Sequence, residues 1–199
     1  MIEDYFSTPI YVEKLDTLLI SRELDFAVQN SVFRNDWQPD NDTASTTFSP
    51  DSSTNIVFEQ NLINFNNVVL HHAHNFLNQA GQQHVAGEIC INSSWLNIVE
   101  HEQVIGFHEH GYQPNMFSGC YYHKVPQGSG DIQFKSPNPF AVSFPHQTSK
   151  YTNVINIEVG EGMLLFFPSW LMHKVLPNKS NDPRITLAFN VEFKYTYME

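Results

Sequence analysis

A chain of 199 residues with 41% hydrophobic and 14% aromatic residues, including 16 Phe, is long enough for one domain with a sizeable core, and the composition excludes global disorder. Ten Lys and Arg against 21 Asp and Glu give a formal net charge of −11. That balance repels nucleic-acid backbones, so no nucleic-acid partner is expected, and it makes each cation worth locating. The two cysteines, Cys90 and Cys120, form neither a CxxC pair nor a disulfide framework. With an acidic N-terminus that lacks a leader pattern, and no apolar run of membrane-spanning length, the expectation is a cytoplasmic protein in a reducing compartment.

The opening, Tyr5-Phe6-Ser7-Thr8-Pro9-Ile10-Tyr11-Val12, reads as β structure. Leu15, Leu18, Leu19, Leu24, Phe26 and Ala27 then recur at helical spacing, which predicts a helix over about residues 13–30. Asn35 to Ser53 is rich in Asp, Asn, Ser and Thr and reads as a loop that could close over a site. Leu62, Phe65, Val69, His72, Ala73, Phe76 and Leu77 share one stripe, which predicts a second helix over about 61–79 with Gly81 as its stop. His71, His72 and His74 on that helix read as a chance cluster, with His72, on the apolar stripe, a core or interface residue.

From Ile89 the pattern changes to strands punctuated by turns. The expected strands are Glu88–Val99, Phe107–Tyr112, Ser118–Val125, Ile132–Lys135, Thr152–Val159, Met163–Phe167, Lys174–Leu176 and Arg184–Phe193. Pro126-Gln127-Gly128-Ser129-Gly130 reads as a hairpin turn and not as a phosphate loop, since no helix follows it. About eight short strands after two helices predict a mainly β fold with flanking helices. The architecture expected is an antiparallel jelly roll, in one domain spanning 1–199 without internal repeats.

One constellation carries chemistry. His108 and His110, two apart on a predicted strand, project to the same face, and Glu109 to the opposite one. His173 follows Pro168 at the end of a later strand, and Arg184 follows eleven residues after that. Three imidazoles converging on a divalent first-row metal leave open positions for a substrate or co-substrate. Structural zinc would call for four closed ligands, often Cys, and neither cysteine has suitable spacing. His101 and Glu102 are possible substitutes for His110 as the second ligand. Tyr121 and Tyr122 are adjacent, so one faces the interior of the barrel and the other faces away. Lys174 reads as solvent-facing, and Trp95 and Trp170 as core or rim aromatics.

Ser94-Trp95-Leu96-Asn97, His108-Glu109-His110, Ser118-Gly119-Cys120-Tyr121-Tyr122, the run Gly162–His173, and Arg184-Ile185-Thr186-Leu187-Ala188-Phe189-Asn190 resemble the 2-oxoglutarate/Fe(II)-dependent oxygenases. The likeness is closest to a branch distantly similar to prolyl hydroxylases. It covers roughly residues 88–193, and the glycine, apolar strand, Phe-Pro-Ser, His and Arg run is its most specific part.

The resemblance implies a double-stranded β-helix, cupin-like in outline, that uses Fe(II), 2-oxoglutarate and O2 to hydroxylate a small-molecule or peptidyl substrate. His108 would be the first metal ligand and His173 the distal one. Arg184 would pair with the far carboxylate of 2-oxoglutarate through a bidentate guanidinium, with Thr186 and Asn190 on the same face. A tyrosine, Tyr121 or Tyr122, and Asn97 would complete the co-substrate site. His110 departs from the pattern, because a carboxylate is usual there. With His110 as the second ligand the catalytic set is His108, His110 and His173, and ferrous iron keeps more net positive charge. Two other readings stay open: a cupin-like three-His dioxygenase that uses no keto acid, and a non-catalytic jelly-roll binding protein.

Overall fold

The computed structural model describes residues 7–16, 18–35, 43–49, 54–82, 88–111, 116–139, 143 and 152–194. Tyr5 and Phe6 of the expected opening, residues 36–42 and 50–53 of the expected loop, and Tyr112 lie outside them. In chain order the elements are β1 (Tyr11–Lys14), α1 (Leu18–Asn30), β2 (Ser45–Thr46), α2 (Ile56–Glu59), α3 (Ile63–Gln79), β3 (Glu88–Val99), β4 (Ile105–His108), β5 (Phe117–Lys124), β6 (Ile132–Lys135), β7 (Val154–Ile157), β8 (Met163–Pro168), β9 (His173–Val175) and β10 (Arg184–Lys194). Among the described residues no helix is long and apolar enough to cross a membrane.

The strands form two antiparallel sheets, one of six strands ordered β1-β8-β5-β10-β3-β2 and one of four ordered β4-β9-β6-β7. The outer face of the larger sheet carries the helices. Leu96, Tyr121, Leu164, Phe166, Leu187, Phe189 and Val191 of the sheet pack there with Ile20, Leu24 and Ala27 of α1 and with Phe65, Val69, Ala73, Phe76 and Leu77 of α3. Its inner face meets the smaller sheet through a second cluster, in which Tyr122, Leu165 and Phe167 pack with Ile132, Phe134 and Leu171.

Local chemistry fixes the phase of these elements. On α1 the buried stripe is Ile20, Leu24 and Ala27, at i, i+4 and i+7. Leu18, Leu19 and Phe26, expected on the same stripe, lie well over a quarter turn away from it and are exposed. The N-terminus of α3 has no cap from its own Leu62. Instead, Glu23 of α1 accepts the Asn64 and Phe65 amide N–H groups at 2.9 and 2.8 Å. Gly81, at φ +75°, ends the helix in the left-handed region that glycine tolerates. His72 on α3 meets the Tyr11 hydroxyl at 2.8 Å and so ties the helix to β1.

Gly119 of β5 has no room for a side chain. A Cβ there would lie 2.4 Å from the Phe189 ring and 2.7 Å from the Leu165 carbonyl oxygen. The Phe189 ring thus covers β5 closely, which keeps β5 and β10 in tight register on the helix side.

Candidate metal centre

The inner face of the large sheet is built from three rows of side chains. β10 pairs with β3 on one side and β5 on the other, so residues of even number on β10 line up with neighbours across both strands. Asn97, Thr186 and Tyr122 form one row, Trp95, Ala188 and Cys120 the next, and Ser93, Asn190 and Ser118 the third. The period of two puts the odd-numbered residues, Leu187 and Phe189, on the helix side. Members of all three rows, together with Arg184, line a cavity of about 430 Å³ between the sheets.

The three histidines converge on this cavity. His108 and His173 are direct cross-strand partners of β4 and β9, with ring centroids 4.3 Å apart. The His110 ring lies 5.3 Å from that of His108 and 5.1 Å from that of His173. One ring nitrogen from each of the three falls within 4.8 Å of the others. The strand expected over Phe107–Tyr112 is shorter than its sequence suggests: β4 ends at His108, and His110 follows it in irregular chain. His110 is held by another means, since its amide N–H donates to the Ser169 carbonyl at 2.8 Å. Strand alternation therefore does not place His110, and Glu109, expected to face away, lines the cavity as well.

Each ring is oriented through Nδ1. His108 Nδ1 meets the Gly106 carbonyl oxygen at 2.9 Å, and His173 Nδ1 meets the Leu171 carbonyl oxygen at 2.8 Å. A carbonyl only accepts, so Nδ1 carries a proton in both rings, and Nε2 is the ring nitrogen left for a metal. His110 Nδ1 faces Asn190 Oδ1 at 2.7 Å and Ser118 Oγ at 2.9 Å. Burial and the neighbouring His108 push the His110 pKa down to about 3. Burial and both other rings hold His173 well below the ordinary imidazole value. His110 and His173 are thus held as neutral imidazoles, the form a metal takes.

Arg184 is 1% exposed. Its Nη1 donates to the carbonyls of Ser129 and Gly130 at 3.0 and 2.7 Å, while its buried Nε has no acceptor among the described residues. No carboxylate among them pairs with it. Gly130, at φ +86°, closes the turn against the Leu176 carbonyl, which a Cβ would meet at 2.3 Å. The turn read from sequence as a plain hairpin therefore supplies the backbone cradle of the guanidinium. Beside it, burial raises the pKa of the Tyr122 hydroxyl and pushes the Cys120 thiol up to about 11, which keeps both protonated at neutral pH.

Of the residues singled out in the sequence, His108, His110, His173, Arg184, Thr186, Tyr122, Asn97 and Asn190 all line the cavity. Tyr121 does not. It is fully buried on the helix side, edge-on to Phe65 at 5.7 Å between ring centroids, because it is one residue out of phase with Tyr122. His101 and Glu102 lie in an exposed turn, where Glu102 pairs with Lys179 at 2.6 Å, and neither borders the cavity. Lys174 stands over the Phe107 ring at 4.8 Å. Trp95 forms part of the cavity wall, with its ring 5.2 Å from that of His110. Ala44, Thr46 and Phe48 bring the polar 35–53 segment to the same wall. Sequence reasoning gave no role to Ser93, Ser118, Ser169 or the Gly106 carbonyl. Ser118 and Ser169 belonged to quoted motifs, which was the available signal.

Residues 93–190 match the family described as "Putative 2OG-Fe(II) oxygenase". No curated protein matches the chain. Among solved structures, a prolyl-4-hydroxylase from Pseudomonas putida is 12% identical, with 94% of each chain covered and a TM-score of 0.59. The epimerase SnoN, in complex with Fe3+, α-ketoglutarate and nogalamycin RO, is 11% identical over 94% of this chain and 79% of that one, with a TM-score of 0.63. HygX from Streptomyces hygroscopicus, with nickel and 2-oxoglutarate bound, is 10% identical over 94% and 84%, with a TM-score of 0.59. These likenesses give the fold: mainly β, with the antiparallel jelly roll of the 2OG oxygenases. The stretch similar to the 2OG-Fe(II) oxygenases, residues 93–190, supplies all three converging histidines and Arg184.

Proposed function

We propose that the chain is an Fe(II)- and 2-oxoglutarate-dependent dioxygenase that hydroxylates a small-molecule or peptidyl substrate at a metal held by His108, His110 and His173. The observation that carries this reading is the convergence of three imidazoles on a cavity that also contains a buried Arg184 with no paired carboxylate among the described residues. Imidazole is a good donor for first-row metals, and three protein ligands leave positions for co-substrate and O2. When bound, the iron and keto acid supply the oxidation chemistry, with 2-oxoglutarate leaving as succinate and CO2.

The chain's own residues bind, orient and exclude water. Arg184 offers a guanidinium to the far carboxylate of the co-substrate, and it remains charged throughout. The Tyr122 hydroxyl, Thr186 and Asn97, which share one row of the sheet, offer neutral hydrogen bonds at the same end. Phe167, whose ring lies 4.6 Å from that of His173, and Phe134 shield the ligands from water on the side of the second core cluster. Trp95 and Phe48, edge to face at 5.2 Å, form an aromatic wall for the substrate. The net charge of −11 and the Glu109 carboxylate at the cavity disfavour strongly acidic substrates.

The test is anaerobic titration with Fe(II) followed by 2-oxoglutarate. A weak visible charge-transfer band, and succinate formation once O2 is admitted, are expected in the wild type. Loss of the keto-acid response in Arg184→Ala with retained metal uptake is also expected. Metal uptake without any response to keto acid in the wild type would overturn the reading in favour of a three-His dioxygenase that uses none. Failure to take up metal would favour a binding protein.

A further inference from the structure

The hydrogen bonds behind His110 form a directed chain that fixes the role of Asn190. Ser93 Oγ donates to Asn92 Oδ1 at 3.2 Å, so it acts as acceptor toward Asn190 Nδ2 at 2.9 Å. That sets the amide orientation and turns Asn190 Oδ1 toward the metal side. There Oδ1 accepts from Ser118 Oγ at 2.7 Å and faces His110 Nδ1 at 2.7 Å. Ser118 Oγ is in turn 2.9 Å from Ser169 Oγ, and the Ser169 carbonyl accepts the His110 amide. Ser93, Asn190 and Ser118 form one cross-strand row of β3, β10 and β5, so three strands support one imidazole. His108 and His173 are oriented by backbone carbonyls close to them in the chain, whereas His110 depends on side chains from distant strands.

We propose that Asn190 is a positioning residue for His110 and not a co-substrate ligand. Its carbonyl oxygen holds the Nδ1–H tautomer, aims Nε2 at the cavity, and gives a ring outside regular strand structure the rigidity that a strand would otherwise supply. A hydrogen-bond acceptor behind a metal-bound imidazole fixes its tautomer and raises its basicity, and losing it typically lowers metal affinity about 10- to 100-fold. This inference rests on the three-His centre proposed above, but its first readout needs no metal.

The experiment has two parts. In metal-free wild-type protein, ¹H–¹⁵N correlation spectra of the histidine side chains are expected to show His110 with the proton on Nδ1. Asn190→Leu is expected to lose that signature. Co(II) titration, followed by visible absorption, is expected to show about 10- to 100-fold weaker binding in Asn190→Leu. Near wild-type affinity is expected in Asn190→Asp, which keeps an acceptor oxygen. The affinity of the Co(II)-loaded protein for 2-oxoglutarate is expected to be unchanged in Asn190→Asp. An Nε2–H tautomer in the wild type overturns the proposal. So does unaltered Co(II) affinity in Asn190→Leu with weakened 2-oxoglutarate binding. A wild-type protein that binds no Co(II) while His110 is the Nδ1–H form overturns the metal-centre reading and leaves the tautomer assignment standing.

Discussion

Arg184 is a guanidinium buried among backbone carbonyls, with an Nε that has no acceptor among the described residues. A buried cation in that setting is costly unless an anion joins it, because without one its charge stays buried and uncompensated. In the proposed co-substrate site, an incoming carboxylate would gain a charge-assisted contact with this guanidinium. Lysine keeps the charge and loses the planar fork. Arg184→Lys is expected to weaken 2-oxoglutarate binding to the Ni(II)-loaded protein about 10- to 100-fold, on the scale of one or two charged hydrogen bonds. Isothermal titration checks this, and equal affinity in the two proteins would remove Arg184 from the co-substrate site.

At the scale of elements, α3 borrows its N-terminal cap from another helix. Glu23 receives two backbone N–H groups and the Asn64 side-chain amide at 2.7 Å, and it places a negative charge at the positive end of the helix dipole. Glu23→Ala is expected to cost about 1–2 kcal/mol, which for a chain of this size lowers Tm by about 2–8 °C in a thermal melt. The metal affinity of the variant should stay unchanged, since α3 packs on the far side of the sheet. This same level separates what sequence could and could not show. The rows on β10 follow from strict alternation, so Arg184, Thr186 and Asn190 share one face by arithmetic alone. The stripe of α3 follows from period 3.6. His110 does not follow, because a loop residue is set by distant partners such as the Ser169 carbonyl. Choosing between Tyr121 and Tyr122 needed the sheet order, since parity says they differ but not which side is the cavity. The short β2 was hidden in a polar segment, where one edge pairing with Ile98 and Asn97 leaves no periodic signal.

For the whole molecule, buried histidines link stability to pH. His123 is 1% exposed, and burial lowers its pKa even though its bond to Asp25, at 2.8 Å, opposes the shift. In the unfolded chain a histidine titrates near about 6.5. Below that value the unfolded state takes up a proton that the folded state refuses, so stability is complete above about pH 6.5 and falls as pH drops toward the native value. His173 adds a contribution of the same sign in the metal-free protein. Each such fully buried histidine steepens the fall by up to about 1.4 kcal/mol per pH unit. Melts of EDTA-treated protein from pH 7.5 to 5 should show a declining Tm, with a shallower decline in His123→Gln. A flat profile would mean that the buried rings, His110 included, take up protons as readily in the folded state as in the unfolded one.

The pairing of β10 with β5 shifts register between Ile185 and Thr186, where Lys124 and then Tyr122 are the partners. Unbroken alternation after Tyr122 would aim the Lys124 ammonium inward, next to Arg184. The irregularity instead turns Lys124 to the side of His123, and both reach Asp25, at 3.4 and 2.8 Å. A single skipped residue thus acts as a charge filter. It diverts a competing ammonium to a surface aspartate, and among the described residues Arg184 stays the one Lys or Arg that lines the cavity.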